Sequence, residues 1–220
     1  MTAKLCDRLS FERELWQQGV HVVAGVDEAG RGPLAGPVVA AAVVLPGRWA
    51  ESGFDERLRD LNDSKQLTVA QRKYFYSVLT LLPGISYAVS VVDAGVIDSI
   101  NILQATHRAM NEALAQLQPP PEHVLVDGRP VRSMKLPSTA IVKGDARSYS
   151  IAAASVLAKV TRDRLMLEFD ARWPAYGFAE HKGYGTPQHL AARAECGPCP
   201  IHRRSFAPLK PAQVEFLRVS

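Results

Sequence analysis

The chain has 220 residues, of which 47% are hydrophobic and 22% charged, with a net charge of +4 and a pI near 9.0. This is the composition of an ordinary globular protein with enough chain to bury one core, and it excludes disordered and fibrous classes. The longest apolar run, Val38 to Leu45, falls well short of the roughly 20 residues of a membrane-spanning helix, and three cysteines (Cys6, Cys196, Cys199) make no disulfide framework.

The stretch from Met1 to Arg13 mixes both charge signs without an apolar segment, so it does not read as a secretion signal, and a reducing cytoplasmic location is expected. A short helix is predicted around Phe11 to Gln18, then a buried strand from His21 to Val26. A Gly/Pro-rich connection from Gly30 to Pro37 leads into a second strand, Val38 to Leu45, with hairpin pairing. Gly47 to Asp63 reads as a polar loop, Val69 to Leu82 as a helix stopped by Pro83-Gly84, and Ile85 to Val92 as a third strand.

From Ile102, the residues Thr106, Met110, Ala113 and Leu117 recur at helical spacing, with Leu103 and Leu114 widening a core-facing stripe until Pro119-Pro120-Pro121. His123 to Val126 is a short strand ending at Asp127-Gly128. Thr139 to Val142 is another, ending at Lys143-Gly144-Asp145, and an Ala-rich helix follows from about Ser150 to Ala171. No internal repeat is present. The order predicts an α/β fold whose sheet has antiparallel and parallel parts flanked by helices, followed by a helical C-terminal region.

Two adjacent carboxylates, Asp27 and Glu28, fall where the first apolar strand ends, a place for which packing gives an aspartate no reason. A solvated turn is the alternative, its glycines supplying positive φ. Gly30-Arg31-Gly32-Pro33-Leu34-Ala35 also satisfies the dinucleotide-binding glycine pattern, but Gly36-Pro37 and a Val/Ala strand follow where that pattern needs a helix.

If adjoining strands also carry Asp127 and Asp145 to the same edge, four carboxylates meet there. Unit charges about 4 Å apart repel by roughly 4 kcal/mol at an effective dielectric of 20, so such a cluster calls for protonation or divalent cations. An all-oxygen set suits Mg²⁺ or Mn²⁺, and a pair of ions suits phosphodiester hydrolysis. Lys143, Arg147, Lys159, Arg162, Arg164 and Lys182 are then candidates to hold a nucleic-acid backbone. In Glu180-His181-Lys182-Gly183-Tyr184-Gly185 the ring of Tyr184 is either a loop anchor or a stacking platform.

Taken together, Asp27 to Pro37, Asn62-Asp63-Ser64-Lys65, Asn101-Ile102-Leu103, Val126-Asp127-Gly128, Lys143-Gly144-Asp145 with Ile151 to Ser155 and Ala158 to Asp163, His181-Lys182-Gly183-Tyr184 and His202-Arg203-Arg204-Ser205-Phe206 resemble the ordered blocks of the ribonuclease HII family. The resemblance runs from about Val23 to Phe206. It implies a ribonuclease H-like fold with a mixed five-stranded sheet and a helical C-terminal extension, in one domain over 1–220 (core about 21–172, extension about 173–220 contributing Tyr184).

It further implies that Asp27, Glu28, Asp127 and Asp145 are the catalytic and metal-binding acids, with two Mg²⁺ or Mn²⁺ ions. Gly30, Arg31 and Gly32 are implied to contact the ribose 2′-hydroxyl at an RNA-to-DNA junction, and Tyr184 to stack beneath the next deoxyribose. Lys65, Lys143 and Lys159, inside these blocks, join them as substrate-binding residues. The implied activity is metal-dependent cleavage of the RNA strand of RNA/DNA hybrids, and of duplex DNA at embedded ribonucleotides, by a monomer leaving 5′-phosphate and 3′-hydroxyl ends. A hybrid-binding module without catalysis is the alternative, and it requires loss of an acid, whereas all four are present.

Cys196-Gly197-Pro198-Cys199 has redox-dithiol spacing and with His202 offers three zinc ligands. Pro200 follows, however, and no strand precedes, so neither role is expected.

Overall fold

The structure, a computed structural model, describes residues 7–207. In chain order these form α1 (Ser10–Gln17), β1 (Val23–Ala29), β2 (Val38–Val44), α2 (Trp49–Ser52), α3 (Val69–Leu81), β3 (Ser86–Val92), α4 (Ala94–Ala115), β4 (His123–Asp127), β5 (Ser138–Ile141), α5 (Gly144–Arg147), α6 (Tyr149–Arg172), α7 (Phe178–His181) and α8 (Pro187–Cys196). Cys6 lies outside the described residues. Among the described residues no helix is long and apolar enough to cross a membrane.

The five strands form one mixed sheet in the order β3-β2-β1-β4-β5. β1 and β2 make the expected hairpin and β3 continues it antiparallel, whereas β4 lies parallel to β1 and β5 parallel to β4. The alternation of strand side chains divides the core into two layers. Val39, Ala41 and Val43 of β2 pack with Phe75 and Leu79 of α3 and the alanines of α6. Val38, Ala40, Ala42 and Val44 pack with Ile97, Ala109, Met110 and Leu114 of α4, on the opposite face. Burial on both faces is why β2 reads as an unbroken apolar run.

Helix α6 lies unusually close to β1. A Cβ on Gly25 would stand 2.2 Å from the Ser150 carbonyl carbon, so only glycine admits this approach. The N-terminus of α6 is capped by the Ser148 hydroxyl on the Ile151 N–H. The buried Glu12 of α1 accepts from the Ser148 hydroxyl (2.6 Å), the Ser150 N–H (3.0 Å) and the Ser150 hydroxyl (2.6 Å).

Several expectations are corrected here. β1 continues through Asp27 and Glu28 to Ala29, because the pairing with β2 persists as far as Ala29 and Val39. The polar stretch after Gly47 contains α2, whose Trp49 is buried, and a helical turn at Glu56–Leu58. α4 starts eight residues earlier than Ile102, at the Asp93 cap, and is interrupted at Asn101 (φ 68°), whose side chain accepts from the Gln104 N–H and caps the second segment. Leu103 therefore faces outward, 46% exposed, and does not belong to the stripe. Asp145 lies in the helical turn α5 and not at the end of a strand.

Candidate active site

On β1 the odd-numbered residues from Val23 to Asp27 face α6, and on β4 Leu125 and Asp127 do the same. The parallel register that pairs Val26 with Val126 therefore carries Asp27 alongside Asp127 at the ends of neighbouring central strands. Asp27 is 6% exposed and faces Ser155 of α6. Its carboxyl is held well above its ordinary pKa, first by burial, then by the charges of Glu28 and Asp127. Asp145 is 8% exposed and is raised to about 6 by burial, then by Asp127 and Asp63.

Lys65 reaches the same cluster. Burial pulls its ammonium down, but the charges of Asp63, Asp27, Asp145 and Asp127 outweigh that and raise its pKa. All four expected acids thus lie in one electrostatic neighbourhood. Three of the carboxylates accept local hydrogen bonds: Asp27 Oδ1 from the Glu28 N–H (2.7 Å), Glu28 Oε1 from Arg31 (3.1 Å), and Asp127 Oδ1 from the Gly144 N–H (2.6 Å). Among the described residues, no three Asp, Glu, His or Cys side chains converge on one point at ligating distance.

Two open grooves meet at Glu28 and Arg31. One, of about 630 Å³, is lined by Asp27, Ser64, Lys65, Ser155, Lys159 and Tyr184, together with the Gly30-Arg31-Gly32 loop. The other, of about 710 Å³, is lined by Asp127 and the loop that follows it.

The Gly30-Arg31-Gly32 loop is fixed from beneath by two buried arginines. Arg203 donates to the carbonyls of Gly36 (2.9 Å), Arg31 (2.9 Å) and Gly30 (2.5 Å). Arg162 donates to those of Pro37 (3.0 Å), Ala35 (3.1 Å) and Lys182 (3.0 Å). Burial brings their pKa values down to about 9 for Arg203 and about 10 for Arg162. Gly30 has φ +96°, and a Cβ there would stand 2.1 Å from Arg162 Nε.

Tyr184 is 49% exposed, and its ring edge lies where a Cβ on Gly32 would be 3.6 Å away. The loop carrying it is tied to the glycine loop, since the N–H groups of Leu34 and Ala35 both donate to the Gly183 carbonyl. The Tyr184 carbonyl in turn accepts from His189 (2.9 Å).

The other sequence-derived cations are scattered. Lys159 lines the first groove but pairs with Asp163 at 2.7 Å. Lys143 is exposed, in a left-handed conformation, and lines neither groove. Arg147 stacks on Phe11 and Arg164 on Tyr76, Lys182 donates to the Ala179 carbonyl, and Arg162 is buried. Arg147, Arg164 and Lys182 are therefore engaged away from the groove surface, whereas Arg162, though buried, lines the first groove from beneath. Sequence reasoning assigned no role to Ser64, Ser155 or Arg203. Arg203 lay within a recognised block, but nothing in the block says which of its two arginines is buried.

Cys196 is exposed and Cys199 buried. His202 accepts from the Cys199 N–H (3.0 Å) and reaches His189 (3.0 Å), an arrangement that spends both its ring nitrogens on neighbours other than a metal.

A family model described as Ribonuclease HII matches residues 24–209. The chain is 53% identical to the Ribonuclease HII of Geobacter metallireducens over 201 residues, covering 91% of each, and 53% identical to that of Ruminiclostridium cellulolyticum over 203 residues, covering 92% of this chain and 76% of that one. It is also similar to the crystal structure of ribonuclease H2 from Pyrococcus horikoshii, with a TM-score of 0.68 and 31% identity, covering 86% of this chain and 95% of that one.

Proposed function

The chain belongs to the ribonuclease HII family, an enzyme family of type 2 ribonucleases H, and from that premise we propose that it is a divalent-metal-dependent endonuclease that cuts the RNA strand of RNA/DNA hybrids and incises duplex DNA at embedded ribonucleotides. The observation that carries this reading is the adjacency of an acid cluster drawn from β1, β4 and α5 to a clamped glycine loop and an exposed tyrosine.

The donor set fits hard cations. Asp27, Glu28, Asp127 and Asp145 offer only oxygen, and burial with neighbouring negative charge holds the carboxyls of Asp27 and Asp145 above their ordinary pKa, a penalty that a bound cation would relieve. β1 and β4 already adjoin, so Asp27 and Asp127 can approach a shared ion by rotation of their short side chains without movement of the sheet. Two Mg²⁺ or Mn²⁺ ions there would supply an activated water and stabilise the leaving oxygen of the phosphodiester.

The protein's own groups then position the substrate. Carbonyls of Gly30 and Arg31 are held by Arg203, which fixes the backbone against which a sugar rests, and glycine at both flanks permits close approach. A 2′-hydroxyl is what distinguishes RNA from DNA at such a point. Tyr184, beside Gly32, offers a ring face to the following sugar. Lys65 keeps a positive charge among the acids, where it can hold the phosphate.

The test is a DNA duplex with a single ribonucleotide, incubated with Mg²⁺ or Mn²⁺ and with chelator. Incision on the 5′ side of the ribonucleotide-to-DNA junction, leaving 5′-phosphate and 3′-hydroxyl ends and abolished by chelator, is expected. Cleavage that persists in chelator would contradict the metal role, and an uncut duplex under both metals would remove the embedded-ribonucleotide half of the reading.

A further inference from the structure

We propose that the loop from Gly128 to Lys135, together with the outer face of α4, forms a second contact surface for the nucleic-acid duplex, gripping phosphates at a distance from the scissile bond; this rests on the nuclease reading above. The groove that holds Asp127 continues along this loop past Arg129 and Arg132. At Gln104, His107 and Ser133 it runs into a further depression of about 560 Å³ that ends at Arg108 and Lys135. The surface is thus one trough leading away from the acids.

Three observations make this loop a built surface. It is pinned to α4: the Ser133 hydroxyl meets His107 Nδ1 (3.0 Å), the Asn111 amide donates to the Ser133 carbonyl (3.2 Å), and the Lys135 N–H donates to the Asn111 side chain (3.2 Å). Its middle is anchored by the buried Val131. Ordering entropy for the loop is therefore met in folding and not on binding.

Second, Arg129, Arg132 and Lys135 are all exposed, and among the described residues none of them has a carboxylate in an ion pair. Arg31 and Arg108, in contrast, are matched by Glu28 and Glu112. Three unmatched cations on a rigid loop are an anion-binding array.

The third observation selects the ligand. Among the described residues, no Phe, Tyr or Trp lines either part of the trough. Single-stranded nucleic acid is held by base stacking on aromatic rings as well as by charge, whereas a duplex presents only its phosphates and sugars to such a surface. Cations without rings therefore fit a duplex.

The experiment measures binding of a labelled duplex of about two helical turns, roughly 20 base pairs, with one central ribonucleotide, across a salt series. It compares the parent chain, the triple variant Arg129→Ala/Arg132→Ala/Lys135→Ala, and Lys73→Ala, which removes an exposed cation from α3 on the opposite side of the sheet. Each phosphate contact contributes about 0.9 to the slope of log affinity against log salt. The triple variant is expected to be shallower by about 2 to 3 units and at least roughly tenfold weaker near physiological salt, with Lys73→Ala unchanged. Shortening the duplex on one side of the ribonucleotide is expected to erase the difference between parent and triple variant, and shortening it on the other side to preserve it.

Equal slopes for parent and triple variant overturn the proposal, as does a difference that survives both truncations. An equal loss of affinity for single-stranded DNA of the same length overturns the assignment to a duplex. Cleavage by the parent is scored separately: a cut duplex with matching slopes removes this surface alone, whereas altered slopes without cutting keep the surface and remove the nuclease reading.

Discussion

Arg203 is fully buried and gives its guanidinium to three backbone carbonyls, and among the described residues it forms no ion pair with a carboxylate. Removing a buried charge from water is costly, and here the return is three carbonyls held in one plane by a rigid fork. Arg162 repeats the device further along the same connection, at the Ala35 and Pro37 carbonyls. Lysine keeps the charge but cannot span three acceptors, so Arg203→Lys is expected to leave at least one carbonyl unsatisfied, at about 1 to 3 kcal/mol. The expected outcome is a lower urea midpoint and a drop of at least roughly tenfold in kcat/KM on a single-ribonucleotide substrate. A variant as stable and as active as the parent would show that the glycine loop holds its shape without the clamp. At this scale the neighbouring positions of Asp27 and Asp127 were legible from sequence, because aspartates in apolar strands lack a packing reason, whereas Asp145 was expected at a strand end and lies in a helical turn. The clamp was not, because a buried arginine and a phosphate-binding arginine look alike as letters.

Among the elements, α6 does most to set the geometry, since it carries Ser155 beside Asp27 and Arg162 beneath the glycine loop. Its start is fixed by the Ser148 cap and by Glu12, a carboxylate placed on the N-terminal N–H groups where a negative charge is favoured. Glu12→Ala removes acceptors for two buried hydroxyls and one N–H, and it should cost about 2 to 3 kcal/mol, read as a fall in Tm of roughly 5 to 10 °C. An unchanged Tm would mean that α6 docks through its alanine face alone. The strands and long helices were readable from periodicity, and the hairpin from the Gly/Pro connection. The short α2 and the first segment of α4 were not. Trp49 is a lone apolar residue in a polar stretch, and Asn101 interrupts the repeat, so a reading by period starts the helix just past it, at Ile102, and misses the segment from Ala94.

For the molecule as a whole, topology accomplishes what no single motif states. Placing β4 parallel to β1 brings residues 100 apart in sequence side by side, and the crossover through α4 is what makes that pairing possible. The C-terminal extension then returns to the connection between β1 and β2, where the Gly183 carbonyl accepts from Leu34 and Ala35 and sets Tyr184 beside Gly32. From sequence, convergence of the acids rested on adjoining strands alone. The placement of Asp145 in a helical turn and the dispersal of the basic residues depend on packing that the pattern of letters does not encode.

The central claim is that acids from three elements bind divalent ions together. The most direct measurement counts Mn²⁺ bound per chain by electron paramagnetic resonance, in the presence of a duplex with one embedded ribonucleotide. The parent is expected to hold two ions, and Asp27→Asn and Asp127→Asn are each expected to lose at least one while still binding duplex. If both variants bind as much Mn²⁺ as the parent, these carboxylates do not hold the metal and the account is contradicted.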